Sequence, residues 1–133
     1  MEFVTEPCRK IPIVGAFEVI VCGGGPAGVC KAIASARSGM KTVLIERYGF
    51  LGGMATAGLV GPMQTFHAGD EQIINGIPQE IVNRLVNEGV EMFLHSFISN
   101  VVVNDNKIEA CIIESKSGRK AIKGEIFIDA TGD

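Results

Sequence analysis

The stretch VIVCGGGPAGVCKA, residues 19–32, most narrows what this chain can fold into, because it sets three consecutive glycines and a proline between an apolar run and a helix-compatible one. Before it, FEVIVC (residues 17–22) is β-branched and almost wholly apolar, the pattern of a strand covered on both faces. After it, residues 27–38 read as a helix with Val29, Ala32, Ile33 and Ala36 on one face and Lys31, Ser35 and Arg37 largely elsewhere, stopped by Gly39. KTVLIE, residues 41–46, is a second buried strand. The three make a β-α-β unit, parallel and right-handed. Gly23, Gly25 and Gly28 then form a G-x-G-x-x-G turn between strand and helix. The first glycine makes the tight turn, the second lets a diphosphate approach the backbone, and the third lets helix and strand pack closely. Pro26 and Ala27 complete the GGGPAG string, and Ala32 shares the helix face of Gly28. Free N–H groups and the positive end of the helix dipole hold a diphosphate without a lysine.

Glu46 ends the second strand, where an acid can accept hydrogen bonds from both hydroxyls of an adenosine ribose. The plainer reading is a solvated carboxylate at a strand end. As a ribose ligand it would repel a 2′-phosphate, which argues against NADP. Arg47 could favour such a phosphate, or lie over the adenine or another phosphate.

Residues 48–69 contain no Asp, Glu, Lys or Arg. Their glycines and Pro62 rule against a spanning helix, and an uncharged stretch wound against a buried ligand fits better. GIPQEIVNRLVNEG (residues 76–89) reads as a helix begun by Pro78 and closed by Gly89, with Ile81 and Leu85, and Val82 and Val86, repeating at i+4. VEMFLH follows as a strand. From Phe97 an antiparallel meander is expected: FISNVVV, IEACIIES and KAIKG joined by polar turns, before a last apolar strand in EIFIDATGD.

With 133 residues and 47% hydrophobic content, one domain with a real core is expected across residues 1–133. A net charge of −3 with scattered Lys and Arg leaves no basic face for nucleic acid or an anionic membrane. The cysteines Cys8, Cys22, Cys30 and Cys111 have no metal-like spacing and read as buried free thiols in a reducing compartment. The N-terminus is wrong for a signal peptide, so a cytoplasmic location is expected. No catalytic or metal constellation is visible: His95 reads as a strand residue and His67 lies past the uncharged loop, while Met40, Met54, Met63 and Met92 read as packing.

GGGPAG, then ERYGFLGGMATAGLV, then IDATGD, in that order, resemble the FAD-dependent oxidoreductases of the two-dinucleotide-binding-domain type, over almost the whole chain from Phe17 to Asp133. The resemblance implies an α/β fold, the Rossmann-like FAD-binding fold, with a central parallel sheet, helices and an antiparallel β-meander. It implies that Gly52, Gly53, Met54, Ala55 and Thr56 lie along the pyrophosphate and ribityl, and that the backbone near Ile98 pairs with the adenine. It further implies that Ala130, Thr131, Gly132 and Asp133 close over the diphosphate and ribityl. The residues give this independent sense: two glycines offer bare N–H groups or a sharp turn, and Ala55, Thr56 and Ala57 leave room for a planar group. IDATGD ends at the carboxyl edge of a strand, where open α/β sheets bind ligands.

The sequence departs from that family in length. Complete members carry a substrate domain and further chain beyond ATGD, and an insertion between the segments matching GIPQEIVNRL and VNEGVEMFLH. Against that pattern those segments run together here, so the resemblance leads to the expectation of a splice near residues 85–90 and of no substrate domain within residues 1–133. The implied function is an FAD-binding domain of an oxidoreductase acting on a small organic substrate, with the flavin supplying the chemistry. Two other readings stand beside it: a non-catalytic dinucleotide-binding module, and an NAD-binding Rossmann domain. Exposed apolar surface where absent segments would pack is expected to favour self-association.

Overall fold

In the computed structural model, the described residues are 2–5, 7–58, 67–68, 71–72 and 81–132, with side chains described for all of these except 67–68, 71–72 and 81–82. The chain runs β1 (Ile13–Cys22), α1 (Pro26–Arg37), β2 (Thr42–Ile45), a 3-10 turn (Gly53–Ala55), two short strands β3 (His67–Ala68) and β4 (Glu71–Gln72), α2 (Ile81–Asn87), β5 (Glu91–Phe93), β6 (Phe97–Asn104), β7 (Lys107–Ser115) and β8 (Gly118–Asp129). The main sheet has the order β5-β2-β1-β8-β7-β6, and β3 pairs with β4. Strands β5, β2, β1 and β8 are mutually parallel, while β6 and β7 are antiparallel additions.

Alternation along the parallel strands sends side chains to two different cores. Val19, Val21 and Leu44 pack with Val29, Ala32 and Ile33 of α1 and with Leu85 of α2. Ile20, Val43 and Ile45 face the other way, into a cluster with Cys111, Ile113 and Ile122 of the meander. Since β1 and β8 separate β2 from β7 in the pairing order, that shared cluster requires the meander to curl over the sheet. The result is a three-layer stack of helices, parallel sheet and meander, which is the expected α/β fold.

The sequence pattern separates KAIKG from the final strand, but β8 is one strand of 12 residues. Gly118–Lys123 pairs with β7, and pairing with β1 runs from Ala121 to Asp129, so Ala121–Lys123 lies between both neighbours. A Cβ at Gly124 would lie 2.6 Å from Cδ1 of Ile20, so the glycine lets β8 ride directly over the core. The final segment is also less covered than its apolar composition implies, with Ile126 49% exposed.

Three further expectations are corrected. VEMFLH is a strand only over Glu91–Phe93; His95 has a φ of 50° and sits exposed in the following turn, where its N–H donates to Tyr48 O. Val86 is 61% exposed while Leu85 is fully buried, so α2 presents a narrower apolar face than the i+4 pairs suggest. Pro78 and the side chains of Ile81 and Val82 lie outside the described residues. Of the thiols, only Cys111 is fully buried; Cys22 and Cys30 are partly covered and Cys8 is exposed.

Leu85→Ala is expected to cost about 2–5 kcal/mol in a denaturant titration and Val86→Ala less than about 0.5 kcal/mol. Equal costs would place α2 the other way round. Burial, with the charges of Cys111 and then Asp129 nearby, pushes the Cys22 thiol up to about 12, and burial pushes Cys111 up to about 11. Thiolates are the reactive form, so at pH 8 a thiol reagent is expected to label Cys8 rapidly and to leave Cys22 and Cys111 unmodified until the chain unfolds. Rapid labelling of Cys111 in the native chain would contradict this packing.

Candidate functional site

The turn from β1 into α1 opens at the carboxyl edge of the parallel sheet. Gly23 has a φ of 98°, its N–H donates to Ile45 O at 2.8 Å, and a Cβ there would press on Ala130 O at 2.5 Å. A Cβ on Gly28 would overlap the carbonyl of Gly23, which accounts for the close contact of helix and strand. Gly25 is the N-cap, with ordinary extended dihedrals of −69° and 177°, and Pro26 begins the helix. Proline has no N–H, and the first-turn amides of Ala27 and Gly28 have no carbonyl of their own helix to reach. No acidic side chain occupies that first turn.

Gly24 joins this turn to the rest of the site. Its N–H donates to Glu46 Oε2 at 2.6 Å, and its carbonyl accepts the Gly52 N–H at 2.8 Å. Tyr48 N–H donates to the other carboxylate oxygen of Glu46 at 2.8 Å. Glu46 is 6% exposed, and two amide donors compensate the burial of its charge. Each carboxylate oxygen has a further lone pair, so the group can still accept hydrogen bonds from a ligand hydroxyl. Its backbone continues β2, donating to Phe93 O at 2.9 Å and accepting from Ser96 N–H at 2.9 Å.

Gly52 and Gly53 both hold positive φ, 114° and 52°, and bring their loop onto the first turn. A Cβ on Gly53 would stand 3.0 Å from Gly25 Cα, so the two glycine turns meet backbone to backbone. The 3-10 turn Gly53–Ala55 follows, and Thr56 closes it with its hydroxyl donating to Leu51 O at 2.9 Å. On the third side, Ala130 N–H donates to Cys22 O, and Asp129 Oδ1 accepts from both the N–H and the hydroxyl of Thr131 at 3.0 and 2.7 Å. Those bonds hold the Asp129 carboxyl below its ordinary value.

Two adjoining clefts result. The first is lined by Gly23, Ile45, Glu46, Arg47, Ser96, Phe97, Ile98 and Thr131. The second is lined by Arg47, Tyr48, Gly53, Met54, Ala57, Gly58, Thr131 and Gly132. Thus Glu46 and Ile98 come together in one lobe, Gly53, Met54 and Gly132 in the other, and Arg47 and Thr131 belong to both. Met54 is 70% exposed, a lining residue and not core packing. Pro26, Ala27, Ala55, Thr56 and Ala130 shape the surrounding turns. Asp133 and the side chain of His67 lie outside the described residues. Gly24, Ser96, Phe97 and Tyr48 were not anticipated as site residues; only Gly24 left a signal, as a third glycine where the motif requires none.

Two adjoining clefts beside the turn into α1, one with a fixed carboxylate and the other with small residues, fit a dinucleotide-binding domain. The model of the FAD dependent oxidoreductase family matches residues 18–88 and 81–133. The chain belongs to that family, carries its FAD-binding domain, and has FAD as its cofactor. It is 47% identical to a dihydrolipoyl dehydrogenase of Trypanosoma brucei brucei over 34% of this chain and 9% of that protein. It is 22% identical to a thiamine thiazole synthase of Methanococcus aeolicus over 86% of this chain and 54% of that protein. Among solved structures, L-proline dehydrogenase from P. horikoshii superposes with a TM-score of 0.68 at 24% identity, over 93% of this chain and 24% of that one. The chain therefore spans between a tenth and about half of the relatives it matches.

The packing separates two glycines that the motif treats alike. Gly28→Ala is expected to lower the melting temperature of the ligand-free chain sharply, because the new Cβ meets backbone, whereas Gly25→Ala, whose Cβ meets nothing closer than Gly53 Cα at 3.9 Å, leaves it within a few degrees. Comparable losses at both positions would refute the assignment of Gly28 to packing and Gly25 to an open face.

Proposed function

We propose that this chain binds FAD across the two clefts, adenosine in the first and the flavin half beyond the second, as part of an oxidoreductase acting on a small organic molecule. One observation carries the reading. Among the described glycines, Gly25 alone has neither a positive φ nor a crowded Cβ position, so neither its conformation nor the space at its Cβ explains its bare backbone. A ligand passing over it does.

In this reading Glu46, already oriented by Gly24 and Tyr48, accepts from the ribose hydroxyls, and the backbone of Ile98 pairs with the adenine. The amides of Gly25, Ala27 and Gly28, with the positive end of the α1 dipole, hold the diphosphate. Gly52, Gly53, Met54, Ala55 and Thr56 run beside the pyrophosphate and ribityl, while Ala130, Thr131, Gly132 and Asp133 close over them. Bound FAD supplies the redox chemistry, passing hydride or electrons between the substrate and an acceptor. The residues of this chain bind and orient it, and no side chain is assigned an acid or base role.

The family match supports a splice near residues 85–90, since its two stretches overlap over 81–88, as though α2 served as the end of one segment and the start of the next. The shared fold over part of those relatives supports residues 1–133 as the FAD-binding unit. Exposed Phe97, Val103 and Ile126 support self-association. The free thiols and the absence, among the described residues, of a helix able to cross a membrane are consistent with a cytoplasmic protein.

Calorimetric titration of the apoprotein is expected to show FAD binding and much weaker NAD binding. Gly25→Val is expected to abolish FAD binding in a chain that still folds, with an N-cap cost of about 1 kcal/mol. Unchanged FAD affinity in that variant, or a preference for NAD, would overturn the assignment.

A further inference from the structure

The residue after Glu46 is the one cation lining either cleft among the described residues, and it lines both. A ligand reaching from one lobe to the other passes Arg47 and Thr131 at the junction. An arginine on a loop would ordinarily sample many rotamers, yet the Arg47 guanidinium carbon stands 4.6 Å above the centre of the Tyr48 ring. That ring is in turn stacked on Phe50, with centroids 5.6 Å apart and planes 10° from parallel. Neither ring is core: Tyr48 is 37% and Phe50 50% exposed. Burial therefore does not account for the stack. The Tyr48 backbone is pinned as well, its N–H donating to Glu46 Oε1 at 2.8 Å and its carbonyl accepting from His95 N–H at 3.0 Å. Among the described residues no carboxylate pairs with Arg47.

We propose that Tyr48 is a positioning residue for the cofactor linker: its backbone fixes Glu46 toward the ribose, and its ring, backed by Phe50, holds the Arg47 guanidinium at the junction, against the diphosphate. The inference rests on the reading of the two clefts as the FAD site. It assigns the two neighbouring charges separate tasks, the carboxylate for neutral hydroxyls and the guanidinium for the doubly charged linker. Planar delocalised guanidinium suits both the aromatic face behind it and phosphate oxygens in front.

The test is calorimetric titration of the full chain with FAD, ADP and adenosine at low and high salt. Wild type is expected to bind ADP more tightly than adenosine, with the difference shrinking as salt rises. Tyr48→Leu is expected to weaken ADP and FAD binding by about two- to fivefold and to leave adenosine unchanged. Arg47→Gln is expected to weaken ADP by about tenfold, with no further loss when Tyr48→Leu is added, and Tyr48→Phe is expected to restore wild-type affinity. If Tyr48→Leu does not fold, Phe50→Ala reads the same coupling from the outer face of the stack, with a smaller loss for ADP alone. Equal weakening of adenosine and ADP, or additive losses at Arg47 and Tyr48, would overturn the positioning role. Unchanged ADP affinity in Arg47→Gln would do the same. Wild-type chain that binds ADP but ignores the Tyr48 and Phe50 substitutions defeats this inference alone; wild-type chain that binds none of the three ligands defeats the cofactor reading and the inference with it.

Discussion

The candidate site depends on a single residue, Gly24, that uses both of its backbone polar groups. Its N–H holds the carboxylate at the end of β2, and its carbonyl holds the loop that begins at Gly52. Remove the tether and three segments lose their common reference: the first turn, the acid and the second glycine pair. The position admits no side chain, since a Cβ would meet Leu51 Cδ2 at 2.6 Å and Glu46 Oε2 at 2.9 Å. The charge-assisted bond to Glu46 is short and buried, so it is the kind of contact whose loss leaves two desolvated groups without partners.

The fold places this tether where it can act on a ligand. β1 lies between β2 and β8, so the chain leaves β1 with neighbours on both sides and the crevice opens at the carboxyl ends of all three. The helix layer begins at the β1–α1 turn, with Gly25 as its N-cap and no acid in its first turn. The meander layer brings Ile98 to the first cleft, beside Glu46. Each outer layer thus packs on the sheet through its own core, and the site lies at the rim that the layers share.

Much of this was legible in the sequence because it rests on local geometry. Gly23, Gly25 and Gly28 are separated by spacings that a strand-turn-helix fixes by itself, and Glu46 follows from the length of the next strand. What escaped was set by docking between distant segments. Gly24, Ser96 and Phe97 enter the site only because the Gly52 loop and the turn after β5 close onto β2, which no periodicity records. Gly124 reads as a strand end, since glycine weakens strands, yet here it lies within β8, where a Cβ would meet the side chain of Ile20. His95 ends an apolar run and so resembles a strand residue, but its ring lies over Gly49, whose missing side chain makes the room. Val86 repeats at the helical period from Val82 and still faces solvent, because α2 contacts its neighbours along the Leu85 face.

The central claim is that the amides at the mouth of α1 face a ligand and not the protein. Backbone amide resonances during an FAD titration test it most directly. The account predicts large shifts at Gly25, Ala27, Gly28 and Gly53, with Gly118 and the turn at Asp105 and Asn106 unmoved. Shifts confined to the meander, with the amides of Gly25, Ala27 and Gly28 silent at saturating FAD, would contradict it.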